Sequence, residues 1–156
     1  MMAYDVEIQE IQPRPIAVAR ATVRPAEIGV TLTRDLLPRV YQFLTARGLT
    51  PSGPPVAIYH EFGANQVVLE GGVPVSAGFS GDGVVRSSEL PGGRVAMTRH
   101  LGPYEKLGAA HDAIRAWLAE RGLQAVRPIW EVYPMPPGGE PDSAKWLTEV
   151  FWLLAE

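Results

Sequence analysis

The 156-residue chain is 46% hydrophobic and 20% charged, with a formal net charge of −3, a balance that suits one ordinary domain with its own core and excludes disordered and membrane-like classes. No apolar run approaches the length of a membrane span, the opening MMAYDVEIQE lacks the apolar core of a secretory signal, and a chain without cysteine has no disulfide, thiolate metal site or cysteine nucleophile. Arginines are scattered and only Lys106 and Lys145 are lysine, so no basic block marks a nucleic-acid surface. A cytoplasmic location is expected, with neither a membrane nor a direct nucleic-acid partner.

In chain order, strands are expected at 4–11 and 15–23. A helix follows, with Leu36, Val40, Phe43 and Leu44 on one face and Gly48 as its stop. Pro38 either fits the first turn of that helix, the preferred reading, or kinks a longer helix that starts near Glu27. Strands are then expected at 55–62, 65–70, 73–79 and 94–101, with GGVPV, SGDG and LPGG as turns. Leu107, Ala110, Ile114, Trp117 and Leu118 form the apolar stripe of a second helix, stopped by Gly122 in the place of a left-handed cap. Strands at 129–135 and 146–154 complete the list, flanking a polar, Gly/Pro-rich loop over 135–145.

The chain also repeats itself. At an offset of 74, Phe43-Leu44 matches Trp117-Leu118, Arg47-Gly48-Leu49 matches Arg121-Gly122-Leu123, Pro54 matches Pro128, and Ile58-Tyr59 matches Val132-Tyr133. AVARATV (17–23) similarly resembles VAMTRHL (95–101). The expected fold is therefore α+β: a tandem repeat of two β-α-β-β units with antiparallel sheets. Helices would lie on one side, and the other faces would curve into a concave groove. One domain, 1–156, is expected, with repeat one over about 1–80 and repeat two over about 81–156.

Strand alternation groups the chemistry. In PIWEVYPMPP, Ile129, Glu131 and Tyr133 share one side and Trp130 and Val132 the other. The repeat makes Tyr59 and Tyr133 partners and sets Glu131 against Ala57. One acid with an aromatic from each half is the composition of a pocket for a cation. The alternative is a solvent-facing Glu131 paired with an arginine. Glu149, between Leu147 and Phe151, is either a second groove acid or a solvated outer-face residue. Trp146 and Trp152 read as packing residues or groove walls. His60, His100 and His111 lack metal-ligand spacing, no carboxylate cluster accompanies them, and there is neither a phosphate-binding glycine loop nor a serine elbow. No metal or cofactor is expected.

RHLGPYEKL (99–107) carries the most specific signal. His100, Gly102, Pro103 and Tyr104, then Trp117, Leu118, Gly122, Leu123, Pro128, Glu131, Tyr133 and Thr148-Glu149, resemble the GyrI-like small-molecule-binding domain, which is also the effector-binding half of multidrug-responsive and AraC-type transcription regulators. Gly48-Leu49 through Tyr59 and GVPV (72–75) are similar as well. The resemblance implies a central groove for bulky hydrophobic, often cationic, aromatic compounds, with Glu131 facing inward as the central polar contact. Tyr59, Tyr133 and Trp146 would be its walls, and Tyr104 a structural residue closing the turn before the helix. Regulators of this class carry an N-terminal helix-turn-helix, and this chain opens on a strand, so the expectation is a stand-alone sensing or sequestering module. Two other branches supply alternatives. One is a cofactor-free hydrolase of cyclopropane-bearing electrophiles using Glu131 and Tyr59 or Tyr133, and the other is an inhibitor that partners DNA gyrase. A monomer and a homodimer are both compatible with the sequence.

Overall fold

The computed structural model describes residues 4–134 and 141–156. Its elements are β1 (Glu7–Ile11), β2 (Arg14–Val23), α1 (Ile28–Thr31), α2 (Leu37–Arg47), β3 (Val56–Phe62), β4 (Val67–Pro74), β5 (Arg86–Leu90), β6 (Gly93–Leu101), α3 (Leu107–Arg121), β7 (Ala125–Val132) and β8 (Leu147–Leu154). Every described strand pairing is antiparallel, so the α+β class is as expected. The chain forms two compact units, Pro13–Pro91 and the N-terminal segment through Gln12 with Gly92–Glu156.

In the Pro13–Pro91 unit the strand order is β3-β4-β2-β5. The helix on this sheet begins earlier than the first-turn reading of Pro38 supposes. It runs from Ile28 through a π-helical turn at Leu32–Leu36 into α2, with Leu36 and Leu37 both helical. A proline deprives the preceding turn of a hydrogen bond, and the wider π turn immediately before it is where the ladder absorbs that loss. Gly48 ends α2 in the left-handed conformation at φ 67°.

GGVPV is likewise not a turn, because β4 runs straight through it to Pro74. The two glycines answer to close packing. A Cβ on Gly71 would stand 2.8 Å from Leu32 Cδ1, and one on Gly72 would stand 2.5 Å from the Ala17 carbonyl oxygen. Gly71 therefore marks the helix-covered face of this sheet, which it shares with its cross-strand neighbours Ala57 and Ala19 and, two residues along, with Leu69 and Tyr59. Glu70, Arg20 and Ile58 lie on the opposite face.

In the other unit the order is β1-β6-β8-β7, and α3 covers one face. Leu107, Ala110, Ile114 and Leu118 from α3 pack with Ala96, Val150, Trp152 and Leu154 from the strands. Gly122 repeats the left-handed cap at φ 65°. The strand order β7-β8-β6 matches β3-β4-β2. The outer strands cross over: β1 opens the chain yet pairs with β6, and β5 pairs back onto β2. The polar, mostly exposed RSSEL of β5 carries no apolar alternation, which is why it did not read as a strand. Of the loop expected at 135–145, residues 135–140 lie outside the described residues, and a short 3-10 turn spans Ser143–Lys145. No described helix is long and apolar enough to cross a membrane.

Candidate functional site

Glu131 is 4% exposed and sits on β7 opposite Val150. Val150 and Trp152 belong to the core beneath α3, and Ile129, opposite Trp152, packs against it. Alternation therefore turns Glu131 toward the helix-covered face. The sequence reading put the groove on the face away from the helices, and the carboxylate faces the helix side instead. The parity follows from β8, whose apolar residues Val150, Trp152 and Leu154 must all meet the stripe of α3.

On that face Glu131 is held from two sides. The Tyr133 hydroxyl donates to Oε1 at 2.6 Å, and His111 Nε2 lies 2.7 Å from Oε2. Behind the imidazole, the Trp152 indole donates to Nδ1 at 3.0 Å. An indole N–H only donates, so Nδ1 is the acceptor and the ring proton sits on Nε2, aimed at the carboxylate. Trp152, His111, Glu131 and Tyr133 thus form one directed hydrogen-bond chain that converges on the buried Glu131 carboxyl group.

Aromatic rings continue the site. Tyr133 contacts Tyr104 at 5.4 Å between centroids, and Tyr104 contacts Trp146 at 4.9 Å. Tyr104 opens the 3-10 turn before α3 and also belongs to this cluster. Its hydroxyl is buried and makes no hydrogen bond among the described residues. Burial, and after it the Glu131 carboxylate, pushes the Tyr104 phenol above its ordinary value.

The rest of the HLGPY motif is scaffolding. His100, 1% exposed, accepts from or donates to Tyr4 through Nδ1 at 2.8 Å and reaches the Pro103 carbonyl through Nε2 at 3.1 Å. Since a carbonyl only accepts, Nε2 is the donor there and Tyr4 donates to Nδ1. Gly102 takes φ 138° and bonds through its amide to the Trp146 carbonyl at 2.8 Å, so the motif anchors the turn that presents both Tyr104 and Trp146.

Of the expected site residues, Glu131, Tyr133 and Trp146 come together in one unit. Tyr59 belongs to the other, where it is 7% exposed on the helix-covered face with its ring 5.8 Å from Phe62. Glu149 lies opposite Val132, on the face away from α3, with its carboxylate 3.6 Å from Arg99. Its side chain is half-buried rather than fully solvated. His111 was not read as a site residue, and Trp152 was read only as a packing residue or groove wall. His111 stands one position past Ala110 in the apolar stripe, and testing histidines only for metal spacing hid a role as hydrogen-bond donor. Among the described residues no group of three or more His, Cys, Asp or Glu could hold a metal ion.

A family model for the GyrI-like small molecule binding domain matches residues 4–155. The chain belongs to that family. Among solved structures, the EcmrR C-terminal domain is similar with a TM-score of 0.87 at 22% identity, covering 99% of both chains. This chain spans 59% of the EcmrR chain seen in a DNA complex. A structure of SAV2435 bound to tetraphenylphosphonium matches with a TM-score of 0.67 at 13% identity, over 99% of this chain and 94% of that one. A hydrolase encoded by lin2189 from Listeria innocua matches with a TM-score of 0.65 at 12% identity, over 96% and 91%. At these identities the likeness is one of fold. No curated protein sequence matches the chain.

Proposed function

We propose that this GyrI-like domain binds bulky, apolar aromatic cations at the Glu131 face of α3, in a sensing or sequestering role. The observation that carries the reading is a 4%-exposed carboxylate, held by His111 and Tyr133, on the edge of the Tyr133–Tyr104–Trp146 aromatic cluster. A ligand cation about 4 Å away would gain up to about 4 kcal/mol at an effective dielectric near 20, before desolvation. The Tyr133, Tyr104 and Trp146 rings would add about 0.5–2 kcal/mol for each face presented to the charge. A relative of the same fold was solved with tetraphenylphosphonium, a cation of this class.

The test is calorimetric titration of tetraphenylphosphonium and a neutral isostere of matching shape into wild type and Glu131→Gln. The reading expects micromolar binding of the cation and a charge preference that vanishes in the variant while neutral binding persists. Equal affinities of both compounds for both proteins would remove Glu131 from the ligand and end the proposal.

Hydrolysis is the second reading, favoured by the pairing of a carboxylate with a phenol hydroxyl at 2.6 Å. Glu131 would take a proton from water as the water oxygen bonds to a strained cyclopropane carbon. The ring C–C bond would break and leave its electron pair on the substrate carbonyl, hydrogen-bonded by a tyrosine. Turnover of such an electrophile by wild type, abolished in Glu131→Gln, would favour this reading over binding alone.

A further inference from the structure

A second charged cluster lies in the Pro13–Pro91 unit, on the face of the sheet away from the helix. Glu70, 3% exposed, takes His60 Nε2 on Oε1 at 2.6 Å, and on Oε2 it takes both Arg20 and Arg86 at 3.3 Å. Arg20 stands directly across from Glu70 on β2, and Arg86 comes from β5, across from Val18. Two permanent cations therefore share one carboxylate oxygen.

The second repeat shows how much of this the fold needs. Glu149 and Arg99 occupy the equivalent cross-strand positions, and the further neighbour of Arg99 there is an acid, Glu7, at 3.9 Å. A single Arg–Glu pair thus serves the repeated sheet. Arg86 is an addition, and it inverts the balance, giving two arginines to one acid in this unit where the other has two acids to one arginine.

The surplus charge is presented outward. The Arg20 and Arg86 side chains are 47% and 52% exposed while Glu70 beneath them is not. With Ala21, Thr22, Gly83 and Val84 they line an open hollow of about 450 Å³. Asp82, the acid in the adjoining turn, is engaged by the Val84 and Val85 amides at 2.9 and 2.7 Å. Each guanidinium carries five N–H donors in a planar fork, and Glu70 occupies only part of that number, fixing their positions from below.

We infer that this hollow is an oxyanion-binding site for a small molecule carrying a carboxylate or a phosphate group, gripped between Arg20 and Arg86 with Thr22 as a neutral hydrogen-bonding wall. Bidentate guanidinium recognition is suited to either group. Glu70 works as a positioning residue, holding the two forks in place so that they need not be ordered by the ligand.

The site can be tested on the whole chain by following arginine Nε–Hε resonances in NMR titrations with inorganic phosphate and, separately, with succinate. Saturable shifts confined to Arg20 and Arg86 are expected, with dissociation constants on the order of 1 mM. Arg86→Gln should weaken binding at least about tenfold, because it removes one of the two full charges, and Arg86→Lys should recover part of the loss. Arg86→Gln should bind tetraphenylphosphonium as wild type does, which separates this site from the Glu131 reading and certifies the fold. Saturation by one probe alone would assign the anion class. Linear, non-saturating shifts with both probes, or equal affinity in Arg86→Gln, would overturn the inference.

Discussion

The directed chain that ends on Glu131 can be broken at His111. Replacing it with leucine removes the donor 2.7 Å from Glu131 Oε2 and the acceptor 3.0 Å from Trp152 Nε1. A hydrogen bond to a charged group contributes about 1.5–3 kcal/mol and a neutral one about 1 kcal/mol. Leucine regains some apolar contact with Trp152 and keeps water away from both orphaned groups, so a net loss of about 2–3 kcal/mol is expected. For a domain of this size that lowers Tm by about 5–12 °C. In a Glu131→Gln background the charge is already gone, and the same substitution should cost only about 1–2 kcal/mol. Urea denaturation of wild type, both single variants and the double variant therefore closes a cycle with a coupling near 1 kcal/mol. Two results refute the reasoning. One is a His111→Leu protein within about 0.5 kcal/mol of wild type, which is what an ordinary surface substitution gives. The other is a cycle additive to within about 0.3–0.5 kcal/mol, which would mean that His111 and Glu131 do not sense each other.

Burial alone would raise the Glu70 carboxyl, but the hydrogen bond and charge of His60, joined by those of Arg20, outweigh it and hold the group below its ordinary value of 4.5. A carboxyl depressed on folding contributes stability above its unfolded value and loses it as pH falls through the folded one. Wild type should therefore destabilise more steeply than Glu70→Gln as pH drops below about 4.5, and parallel urea-midpoint profiles would contradict this. Gly72→Ala should cost about 3 kcal/mol or prevent folding, since its Cβ meets the Ala17 carbonyl. Gly71→Ala should cost about 1–2 kcal/mol, since Leu32 Cδ1 can move aside; reversal of that order in thermal melts would count against the packing described.

Much of this molecule was legible before folding was considered. The 74-residue offset suggested two like β-α-β-β units without giving a strand order, and the orders β3-β4-β2 and β7-β8-β6 correspond. Gly48 and Gly122 marked both helix ends because a left-handed cap is a local demand that glycine meets alone. Strand alternation put Glu131 and Tyr133 on one side of their strand but left open whether that side meets solvent. Local and periodic signals of this kind are carried by neighbours in sequence, so the chain by itself determines them.

Long-range packing decided the remainder. Which side of β7 meets a helix depends on the register with β8 and on where Trp152 packs, and that turned Glu131 toward α3. His111 acquired its role from partners 20 and 41 residues away, a separation that no motif spans. Gly71 and Gly72 read as a turn because their real constraint, a helix and a neighbouring strand at contact distance, exists only in three dimensions. Strand β5 has no apolar alternation because it lies at the edge of its sheet, and its Arg86 meets Glu70 only through β2 between them. Periodicity fixes which residues can share a face, and the closing of contacts between distant segments fixes what that face touches.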